Sequence, residues 1–179
     1  MGKLFTSILS DRISTWAEEE GLVSEAQFGF RKNRRTSDAI FILNTTIQAR
    51  KRRRKHLYTC FVDFAKAFDT VNHKLLWGKL TSYGLSSTML NILQSMYNQA
   101  SSRVTLNSET SDEFLYRKGV CQGCNLSPLL FSLFINDLEK YLLENNSGSI
   151  EINSSPLRLL LFADDLVLLS DLSTGLQKF

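Results

Sequence analysis

Two adjacent aspartates, Asp164 and Asp165, sit inside an apolar stretch. It reads Leu157-Arg158-Leu159-Leu160-Leu161-Phe162-Ala163 before them and Leu166-Val167-Leu168-Leu169 after them. An ionised carboxylate is costly to withdraw from water unless a partner or a metal compensates, and two neighbouring ones also repel. The chemistry open to such a pair is oxygen ligation of a hard cation. Each apolar flank is about strand length, which a helix or two short strands would satisfy. Along one continuous strand, adjacent side chains point to opposite faces. At the tip of a β-hairpin both aspartates can approach one ion while the apolar arms bury behind them. Asp is also a common turn residue, so a plain hairpin with solvated aspartates accounts for the pair equally well. A second carboxylate cluster is needed to decide.

That cluster lies upstream, in Tyr58-Thr59-Cys60-Phe61-Val62-Asp63-Phe64-Ala65-Lys66-Ala67-Phe68-Asp69. Residues Tyr58 to Phe64 are rich in β-formers and read as a buried strand. Asp63 interrupts it near its end, as an ion-pair partner or a metal ligand. Asp69 or Asn72 serves as the N-cap of a short amphipathic helix over His73 to Leu80.

Asp63 through Asp69 resembles motif A of reverse transcriptases, especially those of non-LTR (LINE-like) retrotransposons. Phe162-Ala163-Asp164-Asp165 resembles their motif C. Between them, Gly119-Val120-Cys121-Gln122-Gly123-Cys124-Asn125-Leu126-Ser127-Pro128-Leu129-Leu130-Phe131 resembles motif B. Ahead of all three, Gln27-Phe28-Gly29-Phe30-Arg31-Lys32-Asn33-Arg34-Arg35-Thr36-Ser37-Asp38-Ala39 resembles the block preceding motif A. The four blocks stand in the family's order and span most of the chain.

The resemblance implies an α+β fold, the palm and part of the fingers of a right-hand polymerase, with an antiparallel sheet packed against helices. It implies RNA-directed DNA synthesis: nucleotidyl transfer from dNTPs to a primer 3′-hydroxyl through two Mg²⁺ ions, with Mn²⁺ as an alternative. Asp63, Asp164 and Asp165 are the implied catalytic and metal-binding residues, joined by the Phe64 backbone carbonyl. Phe68 is placed under the sugar, where it rejects a 2′-hydroxyl; ordinary core packing also explains it. Gln122 and Gly123 are placed beside the incoming nucleotide and template base, or form a simple turn before Pro128. Arg31, with Lys32, Arg34 and Arg35, touches triphosphate or template, or forms a solvated basic loop. The implied partners are an RNA template, a DNA primer and dNTPs, in the nucleus or cytoplasm.

Three positions depart from the commoner family pattern: Asn33 for Gly, Cys121 for a basic residue and Asn125 for Pro. Blocks before and after the resemblance are missing, so the chain reads as a fragment with little activity alone. Residues 1–57 would be partial fingers with connecting helices and 58–179 partial palm. Two other readings stand: a non-catalytic, palm-derived RNA-binding module, and another palm enzyme such as a nucleotide cyclase. The presence of the motif B segment argues against the cyclase.

Composition agrees. At 43% hydrophobic and 22% charged the chain can build a core, and net charge is only +3. The positive charge is concentrated in Arg50-Lys51-Arg52-Arg53-Arg54-Lys55. Such a run suits phosphate contact, with Arg52 and Arg53 as nucleic-acid ligands, or a localisation signal, or a solvated loop. Three cysteines without a secretory signal do not make a disulfide framework. Cys121 and Cys124 have metal-like spacing but no second Cys or His pair, and read as small residues in a tight turn. No apolar stretch is long enough to span a membrane. Met1-Gly2 formally fits a myristoylation pattern.

The positioning elements follow from periodicity and caps. A helix is expected from Leu4 to Glu20, with Leu4, Ile8, Ile13 and Trp16 on its apolar side. Another runs from Asp38 to Lys51, capped by Thr36 or Ser37, and another from Thr88 to Gln99, capped by Ser86 or Ser87. Strands Arg103–Leu106 and Glu113–Arg117 form a hairpin around Asn107-Ser108-Glu109. Ser127-Pro128 opens a helix over Leu129 to Leu143, which Asn145-Asn146-Ser147-Gly148 ends.

Overall fold

The two aspartate-bearing segments meet in one sheet. The structure, a computed structural model, describes residues 2–145, 150–152 and 155–177. In chain order the elements are α1 (Gly2–Glu19), α2 (Thr36–Arg52), β1 (Tyr58–Asp63), α3 (Ala67–Thr70), α4 (His73–Ser82), α5 (Ser87–Asn98), β2 (Ser101–Ser102), β3 (Thr105–Leu106), β4 (Glu109–Thr110) and β5 (Phe114–Leu115). There follow α6 (Ser127–Phe134), α7 (Leu138–Asn145), β6 (Ile150–Ile152), β7 (Ser155–Leu157), β8 (Leu159–Phe162), β9 (Asp165–Ser170) and α8 (Ser173–Leu176). The principal sheet is antiparallel, in the order β1-β9-β8.

Strand alternation gives this sheet two different faces. Leu159, Leu161, Leu166 and Leu168 bury against Leu138 and Leu142 of α7. Leu160 and Leu169 bury on the other face with Phe28 and Ile150, beside Ala39, Ile42 and Leu43 of α2. A third cluster joins α1, α4, α5 and α6 through Leu9, Ile13, Leu76, Leu80, Leu93 and Leu130. Among the described residues, no helix is long and apolar enough to cross a membrane.

Several expected elements form as read. α1 stops at Gly21, whose φ of +61° lets Leu22 N–H reach back to Ala17 O at 2.9 Å. Asn72 caps α4, its Oδ1 accepting from Leu75 N–H at 3.1 Å, and the Ser86 hydroxyl accepts from Met89 N–H at 3.3 Å.

Other expectations are corrected. β1 is not a buried strand: Thr59, Cys60 and Phe61 are exposed, Phe61 to 70%. Among the described residues the strand is the sheet's edge, paired with β9 alone, and β-rich composition fits a half-buried pleat as well as a core. Leu4 and Ile8 are exposed, while Thr6, Leu9, Ile13 and Ala17 are the buried stripe of α1. Neither Thr36 nor Ser37 caps α2; the Asp38 carboxylate instead accepts from Arg35 N–H at 2.8 Å.

The long helix expected from Leu129 to Leu143 is broken into α6 and α7. At the break, the side-chain amide of Asn136 is tied to the segment after α1. Oδ1 accepts from Ser24 N–H at 2.9 Å and Nδ2 donates to Leu22 O at 2.5 Å. Lys79 adds a bond to Phe134 O at 2.5 Å, taking up a carbonyl at the end of α6. The hairpin at Asn107-Ser108 forms, but with a two-residue turn. Both residues have positive φ, +48° and +70°, as a type I′ turn requires, and Leu106 pairs with Glu109. The outer pairing is β2 with β5. The Asn145–Gly148 helix stop lies largely outside the described residues.

Under α5, Tyr97 packs edge-on against His73 and Trp77, with centroids at 5.1 and 5.5 Å. Burial pushes its hydroxyl up to about 12 from 10.0. A raised folded value means the folded state holds the phenolic proton more tightly, so this contribution to stability is complete below pH 10 and is lost as pH rises to about 12. Tyr97→Phe should therefore flatten the alkaline limb of a pH-dependent unfolding curve between those values. An unchanged limb would show that Tyr97 does not govern it.

Candidate metal and nucleotide site

Residue register assembles the carboxylates. Asp63, the last residue of β1, lies directly opposite Asp165, the first residue of β9, and Phe162 is opposite Asp165 on the other side. Residues directly opposite in antiparallel strands share a face, so Phe162, Asp165 and Asp63 form one row at the end of the sheet. The next row is Leu160, Val167 and Phe61. Asp164 is not in a strand. It is the second residue of the two-residue turn Ala163-Asp164, and Ala163 takes the left-handed φ of +58°. The three aspartates thus arrive by two routes, two by register and one by a turn. Asp63 and Asp165 are exposed and Asp164 half-buried. Among the described residues, no three of His, Cys, Asp or Glu are gathered closely enough to hold an ion. The donor set still fits a hard divalent cation: all-oxygen ligands, with two like charges held opposite each other by backbone pairing.

A cavity of 390 Å³ opens beside this row, between α2 and the sheet, lined by Ile40, Leu43, Phe61, Asp63, Asp165 and Val167 among others.

The turn carrying Asp164 is buttressed by a segment that sequence reasoning left without a role. Phe28 N–H donates to Leu161 O and Leu161 N–H to Ala26 O, both at 2.8 Å, so this segment adds to the free edge of β8. Gln27 is 2% exposed. Gly29 lies so close to the turn that a Cβ there would stand 2.3 Å from Ala163 N. The available signal was Gly29 itself, since a glycine beside apolar residues marks close backbone approach.

The motif B segment is bound to the motif A segment. Gly119 N–H donates to Val71 O and Val120 N–H to Phe68 O, both at 2.8 Å. His73 Nε2 lies 2.7 Å from Gly119 O. Gln122 Nε2 donates to Asp69 Oδ1 at 3.0 Å. Cys121 and Cys124 do stand in a tight turn: Cys124 N–H reaches Cys121 O at 3.3 Å, with Gly123 at φ +80°. That φ at the third turn position belongs to a type II turn and suits glycine. Burial pushes the Cys121 thiol up, with Cys124 adding to the effect. Phe68 stacks on Phe131 at 4.9 Å. It also lines a second cavity of 570 Å³ with Phe30, Gln122, Gly123 and Pro128. Core packing and cavity lining are therefore both true of Phe68. Phe64 is half-buried between two core clusters.

The basic residues divide into engaged and open ones. Arg31 Nη2 pairs with Glu18 at 2.7 Å and with Glu25 at 3.3 Å, and Nη1 donates to Ser24 O at 2.9 Å. A phosphate contact from Arg31 would have to displace these bonds. Arg34 pairs with Glu25 and lies over the Phe28 ring at 5.1 Å. The hydrogen bond from Arg34 is the main reason the Glu25 carboxyl titrates below its usual value. Lys32, Arg35, Arg52 and Arg53 are exposed. Arg50, by contrast, ties the loop after α2, donating to His56 O at 2.8 Å.

Known proteins resemble this chain over its whole length. The family profile described as "Reverse transcriptase (RNA-dependent DNA polymerase)" matches residues 1–179. A Pol polyprotein of the R2 retrotransposable element of Nasonia vitripennis is 31% identical over 97% of this chain and 16% of its own length. One from the R2 element of Popillia japonica is 30% identical over 74% of this chain and 22% of its own. The RNA-directed DNA polymerase of mobile element jockey from Drosophila funebris is 27% identical over 95% of this chain and 18% of its own. The chain thus spans about a fifth of the length of these relatives. Among solved structures, apo telomerase of Candida tropicalis, truncated from its C-terminal domain, superposes with a TM-score of 0.66 over 96% of this chain and 34% of its own, at 17% identity. That likeness supports the palm-like mixture of helices and antiparallel sheet.

Proposed function

Since this chain belongs to the reverse transcriptase family, we propose that the row at the sheet's end is its catalytic centre, with Asp63, Asp164 and Asp165 holding two Mg²⁺ ions, or Mn²⁺ in their place. The observation that carries this reading is the register of Asp63 opposite Asp165. Like charges directly opposite on a sheet are destabilising, by about 0.2–1 kcal/mol. Asp63 and Asp165 would instead be held together by a shared attraction if they ligated a divalent cation.

When bound, such ions activate the primer 3′-hydroxyl and neutralise charge on the triphosphate and departing pyrophosphate. The protein's own part is to position. The Phe64 carbonyl adds an oxygen ligand. The Phe68 ring, fixed by Phe131, stands under the sugar and rejects a 2′-hydroxyl. Gln122 and Gly123 line the nucleotide and template base, with Gln122 oriented by Asp69. Lys32, Arg35, Arg52 and Arg53 meet template and primer phosphates, and Arg31 and Arg34 join them on releasing Glu18 and Glu25. Residues 1–57 form the finger side and 58–179 the palm side. The substrates are dNTPs, an RNA template and a DNA primer.

Primer extension on poly(rA)/oligo(dT) tests this reading. Slow, Mg²⁺-dependent incorporation is expected from the chain, and none from Asp164→Ala. Template binding without incorporation, unchanged in Asp63→Ala and indifferent to Mg²⁺, would favour a non-catalytic RNA-binding module instead.

A further inference from the structure

The left-handed Ala163 is the structural problem of the carboxylate hairpin. A non-glycine residue at φ +58° is held in a sparsely populated region, at a cost of order 1–3 kcal/mol, and persists only when its surroundings specify it. One side chain meets it. Gln27 Oε1 accepts from Ala163 N–H at 3.1 Å and from Gly29 N–H at 2.8 Å. Both partners are donors, so the carbonyl oxygen must be the atom that faces them. Ala163 is 5% exposed and Gly29 is buried, so neither N–H has ready access to water, and the Gln27 side chain that meets them is itself only 2% exposed. The Nε2 of Gln27 is buried and has no hydrogen-bond partner among the described residues. Burying an unsatisfied polar group is costly, which makes the amide a poor choice for packing alone. Its carbonyl is the part the structure uses.

We propose that Gln27 is a positioning residue for the Asp164 turn. Its carbonyl bridges the Gly29 and Ala163 amides, locks the Phe162–Ala163 peptide at the entry to the turn, and so sets where the Asp164 carboxylate stands relative to the Asp63–Asp165 row. This rests on the reading that these aspartates hold the metal, but the bridge itself can be tested without it. A leucine at 27 removes the acceptor at similar volume. A glutamate keeps an acceptor oxygen in the same place.

Amide hydrogen exchange on the whole chain reads the bridge directly. In Gln27→Leu, the Ala163 and Gly29 amides should exchange at least about 10-fold faster relative to Leu168, while Gln27→Glu retains their protection. If Gln27→Leu does not fold, Gln27→Asn, which draws the carbonyl back by one carbon–carbon bond, is read the same way. In a second arm, Mn²⁺ binding followed by water-proton relaxation should weaken by about 10–100-fold in Gln27→Leu, the range seen when a residue that orients a metal ligand is removed. Unchanged exchange at Ala163, or an equal loss of protection at Ala163 and Leu168, overturns the proposal. So does unaltered Mn²⁺ affinity in a variant that has lost the Ala163 protection. If the parent chain binds no Mn²⁺, the metal reading fails, and the exchange arm alone decides the bridge.

Discussion

Replacing Gly29 with alanine is expected to lower the unfolding free energy by about 3 kcal/mol or more, at the upper end for overpacking, with a matching fall in the urea midpoint. The added Cβ would stand 2.3 Å from Ala163 N and 3.0 Å from both Ala163 Cα and the Phe162 carbonyl carbon. All three are backbone atoms, so no rotamer change relieves the clash. Either the segment 26–29 leaves the edge of β8, giving up the two bonds with Leu161, or the turn moves and takes Asp164 with it. Gly78 is the internal control. It lies exposed within α4, and a Cβ there meets nothing within 4 Å. Gly78→Ala should stabilise by about 0.5–1 kcal/mol through helix propensity. A Gly29→Ala midpoint within error of the parent would contradict the close approach of this segment to the motif C turn.

Asp63→Asn is expected to move stability and activity in opposite directions. Without divalent metal, removing one of two like charges held in register should stabilise the fold by about 0.2–1 kcal/mol, read as a higher urea midpoint. With Mg²⁺, the parent should gain stability and the variant much less, because a ligand that binds only the folded state stabilises it by mass action. Template-directed incorporation should fall by about 10³-fold, equivalent to roughly 4 kcal/mol of lost transition-state stabilisation. The pairing of signs is diagnostic. A residue that merely supports the sheet would lose stability and activity together. A variant less stable than the parent in the absence of metal would show that Asp63 and Asp165 do not repel across the strands, and would remove the main support for the metal site.

Local patterns in the chain were sufficient for much of this. Asp63 at the end of a β-rich run, the Asp164-Asp165 pair between apolar arms, and Gln122-Gly123 before Ser127-Pro128 are short-range signals. Turn chemistry was equally local: Gly21, Asn72, Ser86 and Asn107-Ser108 all act within four residues of themselves. Expectations failed where a distant partner intervened. Where α6 and α7 part, Asn136 bonds to Ser24 and Leu22, over a hundred positions away in sequence. β1 stands at the edge of the sheet, with β9 as its partner among the described residues, and a run of β-formers carries no record of its neighbours. For Arg31 and Arg34 the sequence offered phosphate contact or a solvated loop, and only the solvated loop is set aside, since the fold pairs them with Glu18 and Glu25.

By itself, then, the amino-acid sequence determined the family and singled out the candidate residues, because carboxylates in apolar runs and glycines in turns declare themselves by local cost. Only the tertiary structure decided that Asp63 faces Asp165 rather than Asp164, that Gln27 and Gly29 brace the turn, and which arginines are already paired. Each of those depends on strand register or on contacts between segments far apart in the chain. Such relations exist only once the backbone has satisfied its hydrogen bonds and buried its apolar faces together.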